Sequence, residues 1–134
     1  ESGEIENMKL RRLYESIKLK NKKAAFQILY NSAANFIYNK LSLQTNINIT
    51  FKNSSSNNSF GHFDFKNNIV IEDSSPNLVI KHIAHELTHV RQMESGDLIV
   101  NGQYIIWKNN EKFLLSDYAS NKNYNVHSKW PWEV

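Results

Sequence analysis

The chain has 134 residues, no cysteine, 40% hydrophobic residues and a formal net charge of +3. That length is one domain's worth and buries a sizeable core without cross-links. The lack of cysteine excludes disulfide stapling and thiolate metal ligation but leaves an extracellular location open. No apolar run approaches the roughly 20 residues of a membrane span, and no basic-then-apolar leader opens the sequence. Because the chain begins at Glu1 rather than Met, a leader removed by processing would leave no trace. The compartment therefore stays open between secreted or phage-associated and cytoplasmic.

Residues 1–4 read as a polar, frayed lead-in. From Ile5 to Leu19, the positions Leu10, Leu13, Tyr14 and Ile17 fit a short helix, and Lys20-Asn21 reads as a break. A longer helix is expected from about Lys22 to Leu43, its apolar stripe carried by Ala25, Leu29, Ala33, Phe36, Ile37 and Leu41. Lys9, Arg11, Arg12, Lys18, Lys20, Lys22 and Lys23 form the densest basic run. They fall around amphipathic helices with no interleaved aromatic platform, so nucleic-acid binding is not expected.

The period then changes. Ile47, Ile49 and Phe51 alternate with polar residues as in a half-buried strand. The Ser/Asn run from Lys52 to Ser59 reads as a flexible connection. Phe60–Phe65 and Ile69–Glu72 are two short strands around Lys66-Asn67-Asn68, a hairpin by spacing, with His62 on the solvent side. Ser74-Ser75-Pro76 supplies a cap and a first-turn proline for the next helix, and Gly96 a stop. Leu98–Val100 and Gln103–Trp107 flank Asn101-Gly102, the strongest hairpin signal in the chain, and Glu111–Leu115 makes a third small strand. Ser116–Lys129 lacks periodicity and reads as a loop, after which Trp130-Pro131-Trp132-Glu133-Val134 places proline at a helix start. The expected fold is α+β, one domain over residues 1–134, with N-terminal helices packed on a small, mostly antiparallel sheet.

Within the capped helix lies His85-Glu86-Leu87-Thr88-His89. Residues at i and i+4 leave the same helical face, so both imidazoles can meet one metal ion, and Glu86 stands close enough to reach a water held there. The pattern arises by chance in roughly one chain in a hundred of this length and composition. The caps at both ends, the apolar positions Val79, Ile83, Leu87 and Val90 opposite the histidines, and a downstream carboxylate favour a real zinc site. Two histidines hold zinc poorly, and catalytic sites keep three protein ligands. Candidates for the third are His62, His82, Glu94, Asp97, Asp117, His127 and Glu133. His82 would crowd a single helix face. Gln92 and Ser95 stand where the HExxHxxGxxH pattern needs Gly and His, which excludes that subclass. Asp117 or Glu133 must come back through the loop, and Glu133 has the rigid Trp-Pro-Trp frame to hold it.

The order of helix, strands, HExxH helix, small β excursion, long loop and terminal PWE resembles the zincin metallopeptidases of the glutamate-ligand branch, in particular small bacterial and phage proteins of that kind. The resemblance covers roughly residues 20 to 134. It implies a zincin-like fold, zinc held by His85, His89 and Glu133, and Glu86 as general base in peptide-bond hydrolysis. In that family the helix bearing the glutamate continues beyond it, whereas the present sequence ends at Val134. A neutral or cationic donor is expected opposite Glu86, for which Tyr124 and His127 are nearest in sequence to Glu133, with Tyr118 behind them. Thr88 and Arg91 read as residues of the helix surface or behind the ligands. Trp107, Trp130 and Trp132 are expected to pack the hairpin and PWE against the motif helix. A peptide or protein substrate would lie as an added strand along residues 60–65 or 69–72. The competing expectation is a zinc-stabilised structural or binding module, catalytically weak or inactive, within a larger phage or bacterial assembly.

Overall fold

The computed structural model describes residues 2–53, 61–120 and 130–133. Helix α1 runs unbroken over Ser2–Lys40, including residues 2–4 expected as a frayed lead-in and the Lys20-Asn21 step expected as a break. No proline or glycine interrupts Glu4–Lys40, and Lys and Asn cost a helix only a few tenths of a kcal/mol each. The buried stripe is also rotated from the expected one. Tyr30 and Ala34 are buried, flanked by Phe26, Ile37, Tyr38 and Leu41, whereas Leu29 is 42% exposed and Phe36 69%.

Strands β1 (Asn48–Asn53), β2 (Gly61–Phe63) and β3 (Asn68–Asp73) form a sheet of order β1-β3-β2. The β2–β3 pairing is the expected hairpin, with Phe63 opposite Ile69. Between them Asp64 Oδ1 accepts the backbone N–H groups of Lys66, Asn67 and Asn68 at 2.9–3.0 Å. By contrast β1 lies parallel to β3, with Ile49 beside Ile69, so this sheet is mixed. As the central strand, β3 is paired on both sides and cannot be the free edge expected over 69–72; among the described residues β2 is an edge. Of the connection expected over 52–59, Lys52 and Asn53 belong to β1, and the rest lies outside the described residues.

Helix α2 spans Pro76–Glu94 with proline in its first turn. Ser75 is its extended N-cap, but its side chain makes no capping bond. Its carbonyl accepts the N–H groups of Leu78 and Val79 instead. At the other end Gly96 takes φ +84°, a left-handed conformation that glycine enters without steric cost. The buried face of α2 is Val79, Ile83, Leu87 and Val90 together with two polar residues, Glu86 and His89.

A second sheet follows, an antiparallel meander of β4 (Leu98–Asn101), β5 (Tyr104–Trp107) and β6 (Glu111–Leu114). Asn101 pairs with Tyr104, so the turn residues are Gly102-Gln103, one step beyond the expected pair, with φ +61° at Gly102. Helix α3 (Leu115–Ser120) occupies the start of the segment expected as a loop, and a 3₁₀ turn over Pro131–Glu133 matches the expected proline start.

The architecture is α+β, with an N-terminal helix and small, mainly antiparallel sheets. Two apolar clusters hold it. The first joins α1, the first sheet and α2 through Tyr30, Leu43, Phe63, Ile69, Ile71, Val79, Ile83 and Leu87. The second gathers Leu98, Ile105 and Trp132, with Trp107, Phe113, Tyr118 and Trp130 around them. Phe65 and Met93 pack against both. Among the described residues, no helix is long and apolar enough to cross a membrane.

Candidate metal centre

The 3.6-residue period of α2 brings His85 and His89 to one face. Their rings meet edge to face with centroids 4.7 Å apart, and the two Nε2 atoms are 3.2 Å apart. Glu133 arrives from the terminal turn, 48 residues beyond His85, and places Oε2 at 2.7 Å from His85 Nε2. Its Oε1 lies 3.0 Å from His89 Nε2.

What delivers Glu133 is its neighbour. Trp132 is 2% exposed, stacked on Trp130 at 5.5 Å and met edge-on by Phe113 and Tyr118. Burial of an indole on that scale is worth several kcal/mol and fixes the short turn to the second cluster. The expected packing of Trp107, Trp130 and Trp132 is therefore present, and it reaches α2 through Met93 and through Gln92, whose Nε2 donates to the Trp132 carbonyl at 3.1 Å.

The Glu133 side chain is only 1% exposed. A buried carboxylate needs partners. It has His85, His89 and the Tyr118 hydroxyl, which donates to Oε1 at 2.6 Å. Burial works against a charged His89, but the hydrogen bond to Glu133 and its charge, helped by Gln92 and Glu86, outweigh it and hold the imidazole above its usual pKa. Burial, then the hydrogen bond to Glu133 and its charge, push the Tyr118 phenol far above its ordinary pKa, with Trp132 acting in the opposite sense. Tyr118 is thus a fixed donor.

Zinc bonds of about 2.0–2.1 Å in tetrahedral geometry separate neighbouring ligand atoms by roughly 3.3 Å. The two Nε2 atoms are 3.2 Å apart, and each is met by a different Glu133 oxygen, His85 by Oε2 at 2.7 Å and His89 by Oε1 at 3.0 Å. With one atom taken from each residue, all lie within 4.8 Å of one another, close enough to share one ion. Two imidazoles and a carboxylate suit zinc and its first-row neighbours better than magnesium or calcium. The His85 side chain is 43% exposed against 4% for His89, so the group opens to solvent on the His85 side.

Glu86 is buried at the next position. Its Cγ and Oε1 lie 3.1 and 3.3 Å from where a Cβ on Gly61 would stand, so the side chain rests directly on the backbone of β2. Its charge acts on both His89 and Tyr118.

Of the other expected ligands, His62 is exposed on β2, and His82, Asp97 and Asp117 are not part of the group. Glu94 is used elsewhere, accepting from Gln44 and Thr45. Tyr124 and His127, the expected donors opposite Glu86, lie outside the described residues. Thr88 donates to the Ala84 carbonyl and Arg91 to the Leu41 carbonyl, so both serve helix α2 and its packing on α1. Sequence reasoning missed Gln92 and Gly61 as site residues, and ranked Tyr118 only behind Tyr124 and His127, as a donor opposite Glu86 rather than to Glu133. Gln92 carried a usable signal, since i+3 from His89 is a helical neighbour; Gly61 carried none.

Comparison of the chain with protein-family models, curated proteins and solved structures finds no match in any of the three.

Proposed function

We propose that the protein is a zincin-like, zinc-dependent peptide hydrolase of the glutamate-ligand kind. One observation carries this reading: two imidazoles from one helix and a buried carboxylate 48 residues away converge with all ligand atoms within 4.8 Å of one another. A zinc ion held by His85, His89 and Glu133 would supply Lewis acidity, lowering the pKa of water and polarising a carbonyl. Glu86, beside both ligands on α2, takes the proton of the attacking water and returns it to the departing amine. Tyr118 keeps Glu133 aimed by hydrogen bonding to Oε1. The edge strand β2, against which Glu86 rests, supports a peptide substrate, since an unpaired strand edge can take up an extended chain through backbone hydrogen bonds.

A second reading rests on where the centre sits. The ligands belong to α2, in the first cluster, and to the turn anchored by Trp132, in the second. A metal there would act as a clamp between the two, as in a zinc-stabilised structural or binding module.

One experiment separates the readings. Turnover of a diverse unstructured peptide library is followed by mass spectrometry, alongside zinc content, for wild type, E86Q, H85A and chelator-treated protein. Hydrolysis requires E86Q to keep stoichiometric zinc while turnover falls by on the order of 10²–10⁴, and H85A to lose both. Undiminished cleavage by E86Q would sink the mechanism. Zinc-dependent thermal stability with no cleavage by wild type would favour the clamp.

A further inference from the structure

We propose that Gln92 is a positioning residue that selects the metal-binding tautomer of His89 and, through the same amide, ties the Glu133 turn to α2. This rests on reading His85, His89 and Glu133 as a metal centre. The reasoning starts at the Trp132 carbonyl, a group that can only accept a hydrogen bond. At 3.1 Å from it, the amide end of Gln92 must be the NH₂. The amide oxygen is then turned to His89 Nδ1 at 2.9 Å. An amide oxygen has no proton to give, so Nδ1 must carry one and donate it. Neutral His89 is left with its lone pair on Nε2, the nitrogen that faces His85 Nε2 at 3.2 Å and Glu133 Oε1 at 3.0 Å. One backbone carbonyl thereby decides which nitrogen of His89 can ligate.

The coupling runs both ways. His89 is buried, so solvent does not readily replace a lost partner at Nδ1. Trp132 directly precedes Glu133, so the amide that orients a helix ligand also fixes the backbone of the third ligand. Glutamine alone among the common side chains of this length offers a donor and an acceptor at once. Glutamate keeps the acceptor but cannot donate to the carbonyl, and leucine keeps neither.

The test compares wild type, Q92L, Q92E and H85A. Zinc affinity is measured by competition with a chromophoric chelator, and exchange of the His89 Nδ1 proton by NMR of the zinc-loaded, ¹⁵N-histidine-labelled proteins. Q92L should bind zinc about 10- to 100-fold more weakly, and its Nδ1 proton, protected in wild type, should exchange fast. Q92E should restore the protection. Zinc binding by Q92L within about threefold of wild type, with the proton still protected, would overturn the proposal. Should Q92L fail to fold, loss of protection in Q92E overturns it. If H85A binds zinc as tightly as wild type, the metal centre itself is wrong and the proposal falls with it. If only Q92L is without effect, the centre stands and the role of Gln92 does not.

Discussion

Glu86 can serve as a base only if its carboxylate is held against the ligands, and part of what holds it has no side chain. A methyl group at Gly61 would come within 3.0 Å of Ile71 Cδ1 and 3.1 Å of Glu86 Cγ, inside ordinary contact distance. Both neighbours are buried, so neither can swing freely away. G61A should therefore cost about 1–3 kcal/mol in overpacking. By displacing Glu86 it should also lower turnover by up to on the order of 10²-fold, with zinc content unchanged. Parallel measurement of melting, zinc stoichiometry and cleavage checks it; full activity in G61A would show that the close approach does not position the base. At this scale the sequence was legible where chemistry is local. His85, Glu86 and His89 announce themselves by spacing on one helix. Glu133 was one of several open candidates until the Trp-Pro-Trp frame and the family resemblance singled it out. Tyr118 and Gly61 act across the fold, on partners that no local pattern names.

Elements ended by local chemistry were read well: α2 between Pro76 and Gly96, the two hairpins, and the proline-started terminal turn. Those whose character depends on distant packing were not. The turns of α1 look equivalent in sequence, and only docking against the sheet and α2 decides that Tyr30 and Ala34, rather than Leu29 and Phe36, face inward. The C-terminal end of α2 adds a latch of this non-local kind. The Glu94 carboxylate accepts the backbone N–H groups of Gln44 and Thr45 at 2.8–3.0 Å and the Thr45 hydroxyl at 2.6 Å. The carboxylate is exposed, and its slight loss of solvation raises the pKa, but these bonds and the nearby Arg91 outweigh that and hold it below the ordinary 4.5. A depressed folded pKa gives stability that is fully present above the unfolded value and lost as pH falls through the folded one. E94Q should therefore be less stable than wild type at pH 7, by about 1 kcal/mol after solvent screening. The difference should shrink as the pH drops below about 4.5. Urea unfolding of both proteins at pH 7 and pH 4 tests this; a gap that widens on acidification would contradict it.

On the scale of the whole molecule, α1 does two different things along its length. From Phe26 onward it is part of the first cluster. Before that, Ile5, Met8, Leu10, Leu13, Tyr14, Ile17 and Leu19 are all 50–64% exposed, and none belongs to either core. A helical segment without tertiary contacts is marginal in water, since nucleation is costly and propagation gains little per residue. The first half of α1 should therefore add little to the stability of the rest. The candidate metal centre lies at the other junction, where α2 meets the Trp132 turn. Deleting residues 1–21 leaves Lys22 in place over the Phe26 ring. It should change unfolding free energy by no more than about 0.5 kcal/mol, as for changes at an exposed surface. Zinc stoichiometry should stay the same, and far-ultraviolet helical signal should fall. Losing seven exposed apolar side chains should also reduce self-association, because contiguous apolar surface promotes it. Denaturant unfolding, zinc analysis and light scattering of the shortened and full chains decide the matter. If the shortened chain failed to fold or released its zinc, the N-terminal half of α1 would have to be counted as part of the folded unit that holds His85, His89 and Glu133 together.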